Sequence, residues 1–128
     1  MIIITKLVNL IEILNQKNMK VGIIRCMQTE DYCPGTTDFY AVKKKVGAFA
    51  DLEGDLKIVG FCNCGGCPGK RVLLRAKLLV ERGAEAIAFA SCIKKGTPMG
   101  FSCPYHEKMI ELVRENFGST VKILDYSH

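Results

Sequence analysis

The sequence predicts a three-layer α/β fold on a four-stranded, mostly parallel sheet. Three observations carry this. Short apolar runs alternate with amphipathic helical stretches along the chain. The apolar runs are continuous, as strands buried on both faces are. The chain has 128 residues, 48% hydrophobic and 24% charged, without a Pro-, Ser- or Gln-rich tract, so it can bury one core without staples.

Residues 3–14 place Ile3, Leu7, Leu10, Ile11 and Leu14 at helical spacing with Lys6, Asn9 and Glu12 between them. This predicts an extra N-terminal helix. Residues 1–18 are read as an amphipathic helix or extension, and 19–128 as the domain proper.

Within the domain, "KVGIIRC" (20–26) is the first strand. A helix over 36–52 follows, with Thr36 or Thr37 as cap and Asp38 in the favourable first turn. "LKIVGFC" (56–62) is the second strand. The clearest helix spans 68–83: Val72, Leu73, Ala76, Leu79 and Val80 share a face, and Gly83 suits its stop. "EAIAFASC" (85–92) is the third strand, 104–118 the next helix and "TVKILDYSH" (120–128) the last strand. Strand–helix alternation of this kind implies right-handed crossovers and a flavodoxin-like architecture.

The cysteines repeat on this framework. Cys26, Cys62 and Cys92 end strands, while Cys33, Cys67 and Cys103 each precede a proline expected to open a helix. In a parallel sheet all strand ends and following helix starts share one edge, where open α/β sheets bind ligands. Cys64 belongs to the middle loop, and His128 follows the last strand to the same edge. Helix N-termini, with Lys70, Arg71, Lys94 and Lys95 nearby, are expected to lower thiol pKa values.

Cys64-x-x-Cys67 is a local zinc-type pair, and the remaining ligands must come from other loops: Cys26, Cys33, Cys92, Cys103, His106 or His128. Seven thiols exceed one tetrahedral site, which leaves two metals or an iron–sulfur cluster open. The competing chemistry is a thiol–disulfide oxidoreductase using Cys64 and Cys67, placed after a strand and before a helix. "GGCPGKR" lacks the spacing of a phosphate loop, and no arginine sits where a C-x5-R phosphatase needs one.

The net charge of +5 is modest, and the lysines at 43–45 read as a solvated helix face without aromatic–basic interleaving, so no nucleic-acid partner is expected. The N-terminal segment lacks the basic region and cleavage site of a secretory signal and carries Lys6 and Glu12, which argue against a membrane span. The expected compartment is the cytoplasm, where an odd number of cysteines stays reduced.

"Cys64-Gly65-Gly66-Cys67-Pro68-Gly69" after an apolar strand, with Ile24-Arg25-Cys26 upstream and Ser91-Cys92 and Cys103-Pro104 downstream, resembles the CGGC-domain proteins over residues 19–128. The resemblance implies a metal-binding domain, with zinc inferred from the family's cysteines and histidines. It carries over to Cys26, Cys33, Cys64, Cys67, Cys92, Cys103 and His128. Cys62 and His106 fall outside the pattern, and "Asp125-Tyr126-Ser127-His128" stands where a Gly-Thr-His-like ending is expected. The expected function is a cysteine-rich metal-binding protein. Its cofactor is zinc or an iron–sulfur cluster, its partner is the metal ion, and its role is metal handling, sensing or thiol chemistry.

Overall fold

The computed structural model describes residues 18–98 and 100–128. The helix expected over 3–14 lies outside them. The chain runs β1 (Asn18–Arg25), α1 (Thr36–Lys44), β2 (Asp55–Asn63), α2 (Val72–Glu81), β3 (Ala86–Phe89), a one-turn α3 (Ser91–Lys94), α4 (His106–Phe117) and β4 (Lys122–Leu124). All pairings are parallel, in the order β2-β1-β3-β4. That is the doubly wound arrangement, with its switch point between β1 and β3.

The strand pattern sorts side chains onto the two faces. Ile24, Ile87 and Phe89 point to one, where they meet Val72, Ala76 and Leu79 of α2 and Met109, Ile110 and Val113 of α4. Val21, Ile23, Ala86 and Ala88 point to the other, under Ala41 and Val42 of α1 and Phe49. The three layers are thus two helices, the sheet, and one helix with a single 3-10 turn. Gly22 and Gly60 are register partners, and both lie beneath Leu79. A Cβ at Gly22 would sit 2.9 Å from Leu79 Cδ1, and one at Gly60 would collide with Cδ2. The glycine pair is a seat into which α2 presses its leucine.

Three expected boundaries are corrected. The helix over 36–52 stops at Lys44: Lys45 turns left-handed (φ 54°), and a 3-10 turn covers Gly47–Phe49. No proline occupies a first helical position. Pro34 and Pro104 precede the N-caps Gly35 and Tyr105 by one residue, and Pro68 precedes the cap Arg71 by three. At Pro68 the cause is Gly69, whose φ of +87° cannot belong to a right-handed turn. The last strand ends at Leu124, and residues 125–128 leave the sheet to pack beside Ser91. No helix among the described residues is long and apolar enough to cross a membrane.

Candidate functional site: a cysteine cleft at the switch point

The carboxyl edge collects the thiols because loops from several strands are tied there by their backbones. Cys26 leaves β1 and caps a 3-10 turn over Met27–Thr29, and the buried Thr29 hydroxyl donates to the Cys26 carbonyl at 2.8 Å. The Cys26 N–H donates to Cys92 Sγ at 3.2 Å, joining the ends of β1 and β3. The Cys64 N–H donates to the Arg25 carbonyl at 2.8 Å, which draws the Cys64–Cys67 loop against the end of β1. Asn63 shapes that loop, since its side-chain oxygen accepts from the Gly65 N–H (2.7 Å) and from Arg75 (2.6 Å). Gly65 and Gly66 take φ values of +84° and +97°, a path closed to most side chains.

Cys33 and Cys103 share a local device. The Sγ of each accepts the N–H two residues on, Gly35 and Tyr105 respectively, both at 3.4 Å. Those residues are the N-caps of α1 and α4, so each sulfur serves a helix entry that has no side-chain cap.

Cys26, Cys67, Cys92 and Cys103 line one cleft of ≈ 280 Å³, with Thr29 and Phe101 on its walls. Cys67 is exposed, and Cys64 is only 5% exposed. Cys33 and His128 line a neighbouring cleft of ≈ 230 Å³ with Thr36 and Thr37. Cys62, at the end of β2, faces a groove with Arg75 and Leu79, and His106 borders a charged groove with Lys94 and Asp125. Among the described residues, no three Cys, His, Asp or Glu side chains already converge as ligands on one point.

The expected lowering of thiol pKa values is reversed at four sites. Burial pushes the Cys26, Cys62, Cys92 and Cys103 thiols up from 9.0. Neighbouring thiols add to this: Cys64 and Cys92 act on Cys26, and Cys26, Cys67 and Cys64 act on Cys103. N–H donors from Gln28 and Thr29 at Cys26, and from Tyr105 at Cys103, oppose the rise without cancelling it. Two of the lysines expected to help are engaged elsewhere. Lys94 pairs with Asp125 at 2.5 Å, and Lys95 donates to the His128 carbonyl at 2.6 Å and lies over the Tyr126 ring. The cations that do favour thiolate are Arg75 at Cys62 and Arg25 at Cys92. Arg25 is itself buried; it donates to the Cys33 carbonyl and lies over Phe61. Its place beside an apolar strand run hid it from sequence reasoning.

A family model described as "CGGC domain" matches residues 20–128. "Uncharacterized protein MJ0582" of Methanocaldococcus jannaschii is 44% identical over 93 residues, which cover 68% of this chain and 69% of that protein. "Uncharacterized protein MJ0766" of the same organism is 42% identical over 59 residues, 45% of this chain and 83% of that protein. No solved structure matches the chain significantly.

Proposed function

This chain belongs to the CGGC domain family, and we propose that it binds zinc through thiolates at the switch-point edge of its sheet. The observation that carries the reading is the cleft between β1 and β3. Four cysteines reach it from four separate segments: Cys26 after β1, Cys67 after β2, Cys92 after β3 and Cys103 before α4. An all-sulfur set of four suits zinc, and Cys64 stands next to Cys26 and Cys103 as a fifth donor.

The donor set also fits in its electrostatics. Partly buried thiols that repel one another when charged are costly as bare thiolates, and a divalent cation removes that cost. Bound zinc would supply a fixed positive charge that keeps the sulfurs deprotonated. The protein's own part is to bring the four loops together through the Cys26–Cys92 and Cys64–Arg25 hydrogen bonds. Two apolar clusters flank the sheet and give the fold a core of its own, which supports a role in metal handling, sensing or thiol chemistry rather than in holding a coreless fold.

Elemental analysis and an absorption spectrum of anaerobically purified protein test this. A colourless protein with about one zinc per chain is expected for a single tetrahedral site. A visible charge-transfer band replaces zinc by an iron–sulfur cluster, and metal-free protein with titratable thiols overturns the reading.

One observation favours a second chemistry. A buried Cys64 three residues from an exposed Cys67 is a dithiol with one accessible sulfur, as thiol–disulfide exchange requires. That reading expects Cys64 and Cys67 to cycle with a dithiol reductant after the other cysteines are replaced.

A further inference from the structure

We infer that the outer edge of β2 accepts an extended, acidic and apolar segment of another protein as a fifth strand of the sheet.

β2 stands at the end of the strand order, and among the described residues only β1 pairs with it. It is also the longest strand, with nine residues. None of the nine is buried, whereas all four residues of β3 are. Such an edge presents a row of main-chain N–H and C=O groups without partners in the sheet. A strand of this length offers about 30 Å of that row.

Both faces beside the edge are grooves with apolar floors. On the side of α2, Val59 and Gly60 lie beside Leu78 and Leu79. On the side of α1, Leu56 and Ile58 lie beside Phe39 and Val42. Leu78 is 48% exposed and Phe39 45%. Side chains of an added strand point alternately to the two faces, so each groove would take every second one. A helix could not occupy the edge in this way, because its main-chain groups are already paired within it.

The charge around the grooves selects the partner. Arg75 and Arg82 line the first, and Lys43, Lys45 and Lys57 the second, against one carboxylate, Asp55. None of these cations forms an ion pair with a carboxylate among the described residues. Arg75 donates to the main-chain and side-chain oxygens of Asn63, which are neutral, and keeps its charge. A second copy would set this basic margin against itself, and a lysine such as Lys57 on an edge strand guards against self-pairing. Residues 1–17 bring Glu12 against Lys6 and Lys17 and complement the margin no better. A segment from a different protein, apolar at its centre and flanked by Asp or Glu, fits both floor and rim. No thiol takes part, so the edge is tested apart from the zinc reading.

The full chain, labelled with nitrogen-15, is titrated with the synthetic peptide DEVTVIVED in about 50 mM salt, where screening is weak. Amide shifts should concentrate on residues 55–63. The outward amides of β2 should exchange hydrogen about tenfold more slowly at saturation. The same peptide with every acid replaced by lysine should leave them unshifted. Lys57→Glu should weaken the acidic peptide by about tenfold; Lys43→Glu on α1 should weaken it too, if the strand substitution disturbs the fold. Shifts without slowed exchange in β2, an equal response to the lysine peptide, or tighter binding of an oligothymidylate overturn the proposal. Protection of the same amides in the free chain, rising with its concentration, means that a second copy takes the edge and overturns it as well.

Discussion

Ser127 donates its hydroxyl proton to the Asp38 carboxylate at 2.5 Å although 89 positions separate the two in the chain. Both are buried, and the same hydroxyl accepts from the Ser91 N–H at 3.1 Å. This bond docks the segment after β4 onto the first turn of α1 and brings His128 to the cleft that holds Cys33.

Ser127→Ala removes that clamp and leaves a buried carboxylate short of a donor. The expected cost is about 2–3 kcal/mol, the range for a hydrogen bond to a charged group with its partner stranded. Urea unfolding checks this, read as a lower midpoint with an unchanged slope. A midpoint equal to the parent's would mean that the segment is not held by this contact.

Gly60→Val fills the seat under α2 and drives against the Leu79 Cδ2 methyl. Overpacking of this kind costs about 1–3 kcal/mol, and Leu79→Ala alone costs about 2–5 kcal/mol through its cavity. Because the new methyls occupy the space the leucine vacates, the double variant should lose less than the sum of the singles. A double-mutant cycle in denaturant measures the coupling; simple additivity would deny that the glycine pair and Leu79 share a site.

The thiols of Cys26, Cys92 and Cys103 are pushed above 9.0, chiefly by burial. The folded chain therefore keeps protons that the unfolded chain gives up. Their contribution to stability is whole below the unfolded value and is lost as pH rises through the raised one. Metal-free protein should unfold at lower urea concentration at about pH 10 than at about pH 8, and Cys92→Ala should reduce that difference. The proposed zinc binding should have the opposite trend and weaken in acid, because each sulfur must lose its proton to bind. Calorimetry in buffers of different ionisation enthalpy counts the protons released.

Cys92→Ser removes a cleft sulfur whose position is tied to Cys26. Bound zinc should weaken by more than the roughly 10–100-fold typical of changes outside the ligand set. Cys62→Ser should leave the metal content unchanged, since Cys62 faces another groove. Metal analysis after dialysis against a weak chelator separates the two variants, and equal retention would remove Cys92 from the donor set.

The four strands were legible in the sequence because each carries a short apolar run, and α2 because its apolar positions recur at helical spacing. The helix over 36–52 is shorter than its sequence pattern, since Val46, Phe49 and Leu52 continue an apolar spacing that a left-handed turn at Lys45 interrupts. The cysteines could be assigned to the carboxyl edge, because parallel topology sends every strand end there. Their ionisation could not be read, because helix N-termini and nearby lysines are visible in sequence whereas burial and thiol–thiol repulsion are properties of the packed cleft.

By itself the sequence determined the α/β class, the parallel sheet and the gathering of thiols at one edge, because periodicity and the alternation of strand and helix are read along the chain. Only the tertiary structure decided how that edge is divided. It set Cys26, Cys67, Cys92 and Cys103 in one cleft and Cys33 with His128 in another. It also matched Asp38 to His128, and it found Arg25 rather than the lysines beside Cys92. These pairings join residues from opposite ends of the chain, and their energies depend on distance and burial, which no spacing along the sequence encodes.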